Sequence, residues 1–137
     1  MEVTEIPFVK HLGIEKEGSQ LALAFSNEFE NHIGTIHASA QFALAETQSG
    51  LFLQESFTDI EAEVLPLLRS STVKYKSPAT TKLKAVAIVS DELKEKFKEQ
   101  FLKRGRATIA VEVKLFDSND VITMVGEFVW FVQRLKN

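Results

Sequence analysis

Residues 36–54, IHASAQFALAETQSGLFLQ, constrain the fold more than any other stretch. They are rich in Ala and Leu, contain no Pro, and are too long and too Ala-rich for a strand, so they predict a helix. A surface helix carries one apolar stripe, but here apolar residues fall on nearly every face. Such a helix must be buried all round, and the rest of the chain has to enclose it.

The rest of the chain supplies the enclosure. Residues 106–116 alternate, with Ala107, Ile109, Val111, Val113 and Leu115 set against Arg106, Thr108, Glu112 and Lys114. The run Asp117-Ser118-Asn119-Asp120 is a hairpin turn. Residues 121–135 follow as a long strand that is apolar on both faces from Phe128 to Val132, so it should be central or covered twice. Strands are also predicted at 68–76, closed by Ser77-Pro78, at 82–90, and as two pieces around Gly18-Ser19 within 14–27. Residues 57–66 read as irregular and end at Pro66, and Asn27 to Gly34 reads as a loop. A short helix at 6–13 ends at Gly13. A surface helix at 91–104 has Ser90 as its N-cap, a stripe of Leu93, Phe97 and Phe101, and Gly105 just beyond its end. The sum is an α+β chain, one long buried helix wrapped by an antiparallel sheet. At 137 residues it is expected to be a single domain spanning 1–137.

Composition excludes several function classes. With 45% hydrophobic and 26% charged residues the chain is not disordered. A net charge of −3 argues against a nucleic-acid partner. The chain has no Cys, so a disulfide, a Cys-ligated metal and a Cys nucleophile are all excluded. No metal constellation is present and no cofactor is expected. No apolar run approaches the ~18 residues that span a bilayer, and Met1 to Glu5 lack the pattern of a signal peptide. A cytoplasmic protein without a membrane partner is the expectation.

Between Glu30 and Glu55 the chain carries one carboxylate, Glu46, and no Lys or Arg. Its helical-face neighbours would be Phe42, Ala43, Ser49 and Gly50, none of which can neutralise it. A carboxylate placed in so apolar a helix at an energetic cost is a candidate general base or nucleophile. The alternative is that this position turns toward solvent or toward a basic residue elsewhere. The helix also begins at residues 34–39 (GTIHAS), where unpaired N–H groups and the positive dipole end could receive an oxyanion.

The string Asn31-His32-Ile33-Gly34-Thr35-Ile36-His37-Ala38-Ser39, with Glu46 nine residues after His37, resembles the hotdog-fold acyl-CoA thioesterases. It is most similar to the phenylacetic-acid-degradation branch and allied hotdog domains, whose signature is N-x-x-G-T-x-H-G-G followed by an acid nine positions after the His. Val73-Lys74-Tyr75-Lys76-Ser77-Pro78-Ala79 is similar to the family's V-x-Y-x-x-P-A strand end, and Lys103 to Val132 follow its last two strands. The resemblance implies a hotdog fold, with a curved sheet around a long helix, and a homodimer or dimer of dimers joined edge to edge with two sites at the interface. It implies an acyl-CoA or acyl-carrier thioester as substrate.

Carried over residue by residue, the resemblance implies that Glu46 is the general base or nucleophile and that the Ala38 backbone N–H is the oxyanion donor. Asn31 would orient water or Glu46, and the family's His falls at His37, a further candidate catalytic residue whose alternative role is to fix the helix entrance by hydrogen bonds. Gly34, Ser39, Ser70, Ser71, Lys74 and Lys76 are the candidates for substrate binding, with Lys82, Lys84, Arg104 and Arg106 as further members of a basic rim. The family's His-Gly-Gly is His37-Ala38-Ser39 here, and a Ser that relatives place before the strand Tyr is Leu68. A backbone N–H survives Gly→Ala, but two added side chains narrow the approach. Phe57, Ile60 and Leu65 are candidates to line the acyl pocket, Tyr75 is expected in the core, and His11 and His32 read as structural or exposed. Beside a plain structural dimer, which would leave both the Asn31–His37 string and Glu46 unexplained, two alternatives remain open. One is a non-catalytic acyl-CoA-binding hotdog module, which the two departures favour and the lone Glu46 disfavours. The other is a dehydratase, which usually pairs a His with an acid across the site.

Overall fold

The computed structural model describes residues 2–58 and 63–135. After a 3-10 turn at Val3–Glu5 the elements are α1 (Pro7–Leu12), β1 (Glu15–Glu17), β2 (Gln20–Leu23), a second 3-10 turn (Asn27–Phe29), α2 (Ala38–Ser56), β3 (Val64–Tyr75), β4 (Leu83–Ile88), α3 (Asp91–Arg104), β5 (Arg106–Phe116) and β6 (Ile122–Arg134). All six strands form one antiparallel sheet in the order β1-β2-β4-β5-β6-β3.

Helix α2 lies against this sheet, and no residue from Ala40 to Leu53 is fully exposed. The alternation in β5 turns Ala107, Ile109, Val111, Val113 and Leu115 inward, and all five are buried. They meet Leu44 and Ala45 of α2, Leu21 and Leu23 of β2, Leu83 and Ala85 of β4, and Met124 and Phe128 of β6 in one core. Two buried Gln residues sit on α2. Gln48 is satisfied, because its Oε1 accepts the Leu21 N–H at 2.7 Å and its Nε2 donates to the Ser19 carbonyl. The Gln41 Oε1 has no partner among the described residues.

The caps follow the sequence. The Ser90 Oγ accepts the Leu93 N–H at 3.2 Å, and Gly105 ends α3 at φ 72°. Asp117 Oδ1 accepts the N–H groups of Asn119 and Val121, which closes the β5–β6 turn. β6 is central, between β5 and β3, as its two apolar faces require. On one face Met124, Phe128 and Val132 are buried, while Val129 and Phe131 on the other face are half-exposed.

The central helix and β4 lie within two residues of expectation at each end, whereas the start of β3 differs by four. β3 begins at Val64 and runs through Pro66, which pairs with Val132. β3 is an edge strand, so the missing proline N–H removes no ladder bond that the sheet needs. Among the described residues no helix is long and apolar enough to cross a membrane, which says nothing of crossing by strands.

Candidate active site

The entrance to α2 is built by a short self-locked turn. The Asn31 Oδ1 accepts the N–H groups of Ile33 and Thr35, both at 3.0 Å, and its Nδ2 donates to the Thr35 Oγ1 at 2.7 Å. Gly34 takes φ 77° inside this turn, a conformation that disfavours any side chain. The chain is then pinned on both sides, with the Ile36 N–H on the Ala79 carbonyl at 2.8 Å and the His37 N–H on the Phe29 carbonyl at 2.6 Å. His37 is the N-cap of α2, and its Nδ1 accepts the Ser39 N–H at 2.9 Å. The polar groups of Asn31 and His37 that form these bonds therefore fix where the helix starts and in which direction it points.

This arrangement leaves the Ala38 N–H at the first helical position with no acceptor among the described residues. The Ala38 carbonyl accepts the Tyr75 hydroxyl at 3.2 Å, which ties the end of β3 to the helix entrance. Tyr75 is 45% exposed rather than core. It shares a face with Val73, as the sequence suggests, but it is the last residue of an edge strand and little packs beyond it. Partial burial raises the pKa of its phenol.

Glu46 lies two turns further along α2 and is half-buried. No hydrogen bond or ion pair reaches its carboxylate among the described residues, and burial raises its pKa above the ordinary value. The helical neighbours on either side of it face β6. Phe42 packs edge-on against Phe128 with ring centroids 5.5 Å apart, and Gly50 lies under the Trp130 ring. Glu46 therefore stands on the side of α2 that faces β6 and the β3 edge. Trp130 is held by its Nε1–H, which donates to the Ser49 Oγ at 2.8 Å, while the Ser49 hydroxyl donates to the Glu46 carbonyl at 2.6 Å.

Beyond Gly50 opens an apolar cavity of about 530 Å³ between α2, the N-terminal turn, β3 and β6. Val3, Ile6, Leu53, Phe57 and Trp130 are among its walls. The sequence pointed to Phe57 but not to Trp130 or Gly50, because the contacts that bring them together span some eighty residues. Leu65 does not line the cavity, whereas its neighbours Val64 and Pro66 do. Ile60 lies outside the described residues.

The remaining candidates divide by face. Ser71 pairs with buried Phe128 and shares the α2 side of the sheet, while Ser70 pairs with Val129 and Lys74 with Val125 on the opposite side. Ser70 and Lys74 are thus turned away from the Glu46 side by strand parity. Lys76 follows the strand, is exposed, and sits close in sequence to Tyr75. Neither Lys74 nor Lys76 pairs with a carboxylate among the described residues, whereas Lys82 and Lys84 both pair with Glu17. Those two lysines hold the Glu17 carboxyl below its ordinary pKa, mainly through the Lys82 hydrogen bond, and so are not spare cations for a rim. Arg104 lines a second groove between α3 and β5, with Arg106 beginning β5 beside it. Among the described residues no cluster of His, Asp and Glu could hold a metal ion.

A long helix wrapped by a six-stranded antiparallel sheet, entered through a capped turn and carrying one half-buried acid, defines the chain as a hotdog-fold protein. It belongs to the family described as a domain of unknown function, DUF4442, whose model matches residues 6–132. Its structure is similar to that of a Pseudomonas aeruginosa protein described as a probable thioesterase, at 24% identity and TM-score 0.83, covering 97% of this chain and 91% of that one. It is also similar to a Bacillus halodurans protein solved with CoA, at 19% identity and TM-score 0.70, covering 91% and 74%. A thioesterase from Haemophilus influenzae gives 15% identity and TM-score 0.69, covering 98% and 88%. No match was found among curated proteins.

Proposed function

We propose that this protein hydrolyses an acyl-CoA or acyl-carrier thioester, with Glu46 as the catalytic carboxylate. The observation that carries the reading is Glu46 itself, half-buried, unpartnered among the described residues, and with its pKa raised by burial. A purely structural acid in this helix would be expected to have a cation or a set of donors around it. A general base of this kind contributes roughly 10²–10⁴-fold. The likeness to thioesterases and to a CoA-bound protein supports the substrate class.

This reading divides the work between two copies of the chain. Ala38 and Glu46 are eight residues apart, so about 12 Å of helix axis separates them. The Ala38 N–H points out of the helix start, away from Glu46. A carbonyl oxygen on that N–H therefore lies too far from the Glu46 carboxylate of the same chain for one thioester to touch both, since a reacting centre must sit about 3 Å from each group. In a homodimer, Glu46 of one protomer activates water, or attacks directly, while the N–H of the partner subunit's Ala38 stabilises the oxyanion. The β3 edge, twelve residues long and carrying exposed Leu67, is the surface on which two sheets would join. Asn31, His37 and Tyr75 act as positioning residues that hold the Ala38 peptide.

The test is hydrolysis of an acyl-CoA panel, read as free thiol, for wild type, Glu46→Gln and Ala38→Pro. Proline suits the first position of a helix, and His37 already has the extended ψ of 139° that a following proline requires, so Ala38→Pro deletes the N–H with little else. Each variant should lose about a hundredfold or more in kcat/KM while remaining folded. Turnover unchanged in Glu46→Gln would refute the mechanism. Tight acyl-CoA binding without wild-type turnover would identify a sensor or sequestering module instead.

A further inference from the structure

We infer that Ser49 and Trp130 are positioning residues for Glu46, forming with Gln48 a clamp that fixes the rotation of α2. This inference rests on the thioesterase reading above for what Glu46 does. Apolar residues fall on nearly every face of α2, so burial alone favours no single rotation about its axis. Ala40, Ala43 and Ala45 are buried on it, and their single methyl groups make few contacts that a rotation would disrupt. Directed bonds have to fix what burial leaves open.

Two neighbouring residues supply them. Gln48 reaches β2 and the turn before it, accepting the Leu21 N–H at 2.7 Å and donating to the Ser19 carbonyl at 3.3 Å. Ser49 is fully buried and reaches β6, where its Oγ accepts the Trp130 Nε1–H at 2.8 Å. β4 and β5 lie between β2 and β6, so the two attachments are three strand spacings, about 14 Å, apart. Residues 48 and 49 are about 100° apart around the helix, so turning α2 either way stretches one of them. The Ser49 hydroxyl completes the link by donating to the Glu46 carbonyl at 2.6 Å. Gly50 makes room for the indole, since an added Cβ would already touch Trp130 Cζ2 and Cη2 at 3.5 and 3.6 Å and a larger side chain would push the ring off Ser49. Glu46 precedes these anchors by less than one turn. The end of a helical side chain lies about 5–6 Å from the axis, so a rotation of about 10° moves the carboxylate by about 1 Å. A misplacement of that size costs up to about a hundredfold in rate.

The experiment compares wild type, Ser49→Ala, Trp130→Phe, the double variant and Ser90→Ala. Trp130→Phe keeps an aromatic ring beside Gly50 and so tests the bond apart from the packing. Ser90→Ala removes the N-cap of α3 and serves as a loss of stability that leaves α2 attached. One readout is kcat and KM on the acyl-CoA panel. The other is the Glu46 carboxyl titration followed by carbon-13 NMR, which needs no turnover. In Ser49→Ala and in Trp130→Phe, kcat should fall about tenfold or more with KM changed by less than about twofold. The double variant should be no slower than the slower single one, because both singles lose the same bond. The Glu46 midpoint, raised by burial in wild type, should move toward the ordinary carboxylate value in these variants as the carboxyl gains water, and should stay in place in Ser90→Ala. If wild type turns over and both single variants keep its kcat, the inference is overturned. Equal losses in Ser90→Ala overturn it too, because stability alone then explains them. If wild type hydrolyses no thioester, the midpoint decides. Movement in Ser49→Ala and Trp130→Phe alone keeps the clamp and drops the hydrolase reading, and no movement drops both.

Discussion

The same substitution should have opposite signs at two glycines on either side of the candidate site. At Gly126 in β6, an added Cβ would sit 2.7 Å from the Phe128 Cε2 and 3.0 Å from the Val73 Cγ1. Phe128 is fully buried and braced edge-on by Phe42, so its ring cannot turn aside without displacing the face of α2 next to Glu46. Overpacking of this kind costs about 1–3 kcal/mol. At Gly50 the added Cβ reaches ordinary contact distance, and replacing a mid-helix glycine by alanine gains up to about 1 kcal/mol. For 137 residues the unfolding entropy is about 0.29 kcal/mol/K, from ~2.1 cal/mol/K per residue. Gly126→Ala should therefore lower Tm by about 3–10 °C and Gly50→Ala should raise it by up to about 3 °C. Thermal unfolding by circular dichroism at one fixed protein concentration measures both, the concentration being fixed because an associating protein has a concentration-dependent Tm. A Gly126→Ala protein as stable as wild type would refute the packing argument. A Gly50→Ala protein that is less stable would show that the space beside Trp130 is not free.

Two further outcomes follow from the site. Burial raises the Glu46 pKa in the folded state, so its contribution to stability is fully present below the ordinary value of 4.5 and is lost as pH rises through the folded value. Glu46→Gln should then melt higher than wild type at pH 7 and alike below pH 4, and a Gln variant that melts lower at pH 7 would contradict the burial assignment. Tyr75→Phe removes an exposed bond to the Ala38 carbonyl, so Tm should change by less than about 3 °C, in line with a net hydrogen-bond contribution of about 1 kcal/mol or less, while kcat falls through looser placement of the Ala38 peptide. A fall in Tm much larger than that would make Tyr75 a fold residue instead.

What could be read from the sequence was whatever is decided within a few residues. The Ser90 and Gly105 caps, the alternation of β5 and the Asp117 turn are local chemistry, and they stand where the pattern puts them. Glu46 stood out as a candidate because it is the one charged side chain between residues 36 and 54, an anomaly that needs no knowledge of what surrounds it. Pro66 misled because its tolerance depends on β3 being an edge strand, which is a property of the assembled sheet. Lys82 and Lys84 looked spare because Glu17, sixty-five residues before Lys82, meets them only after β2 pairs with β4. The Trp130–Ser49 bond and the packing of Gly50 against the Trp130 ring are likewise tertiary, and no spacing announces them.

The rigid separation of Ala38 and Glu46 on one helix also has a consequence for mixtures of defective chains. If each protomer lends the start of its helix to one site and the middle of it to the other, an allele lacking the acid and an allele lacking the amide should complement each other. A heterodimer of Glu46→Gln with Ala38→Pro holds one site missing both groups and one site missing neither. After subunit exchange at equal amounts, random pairing restores about a quarter of wild-type activity from two inactive preparations, as expected for a two-fold dimer with isologous sites.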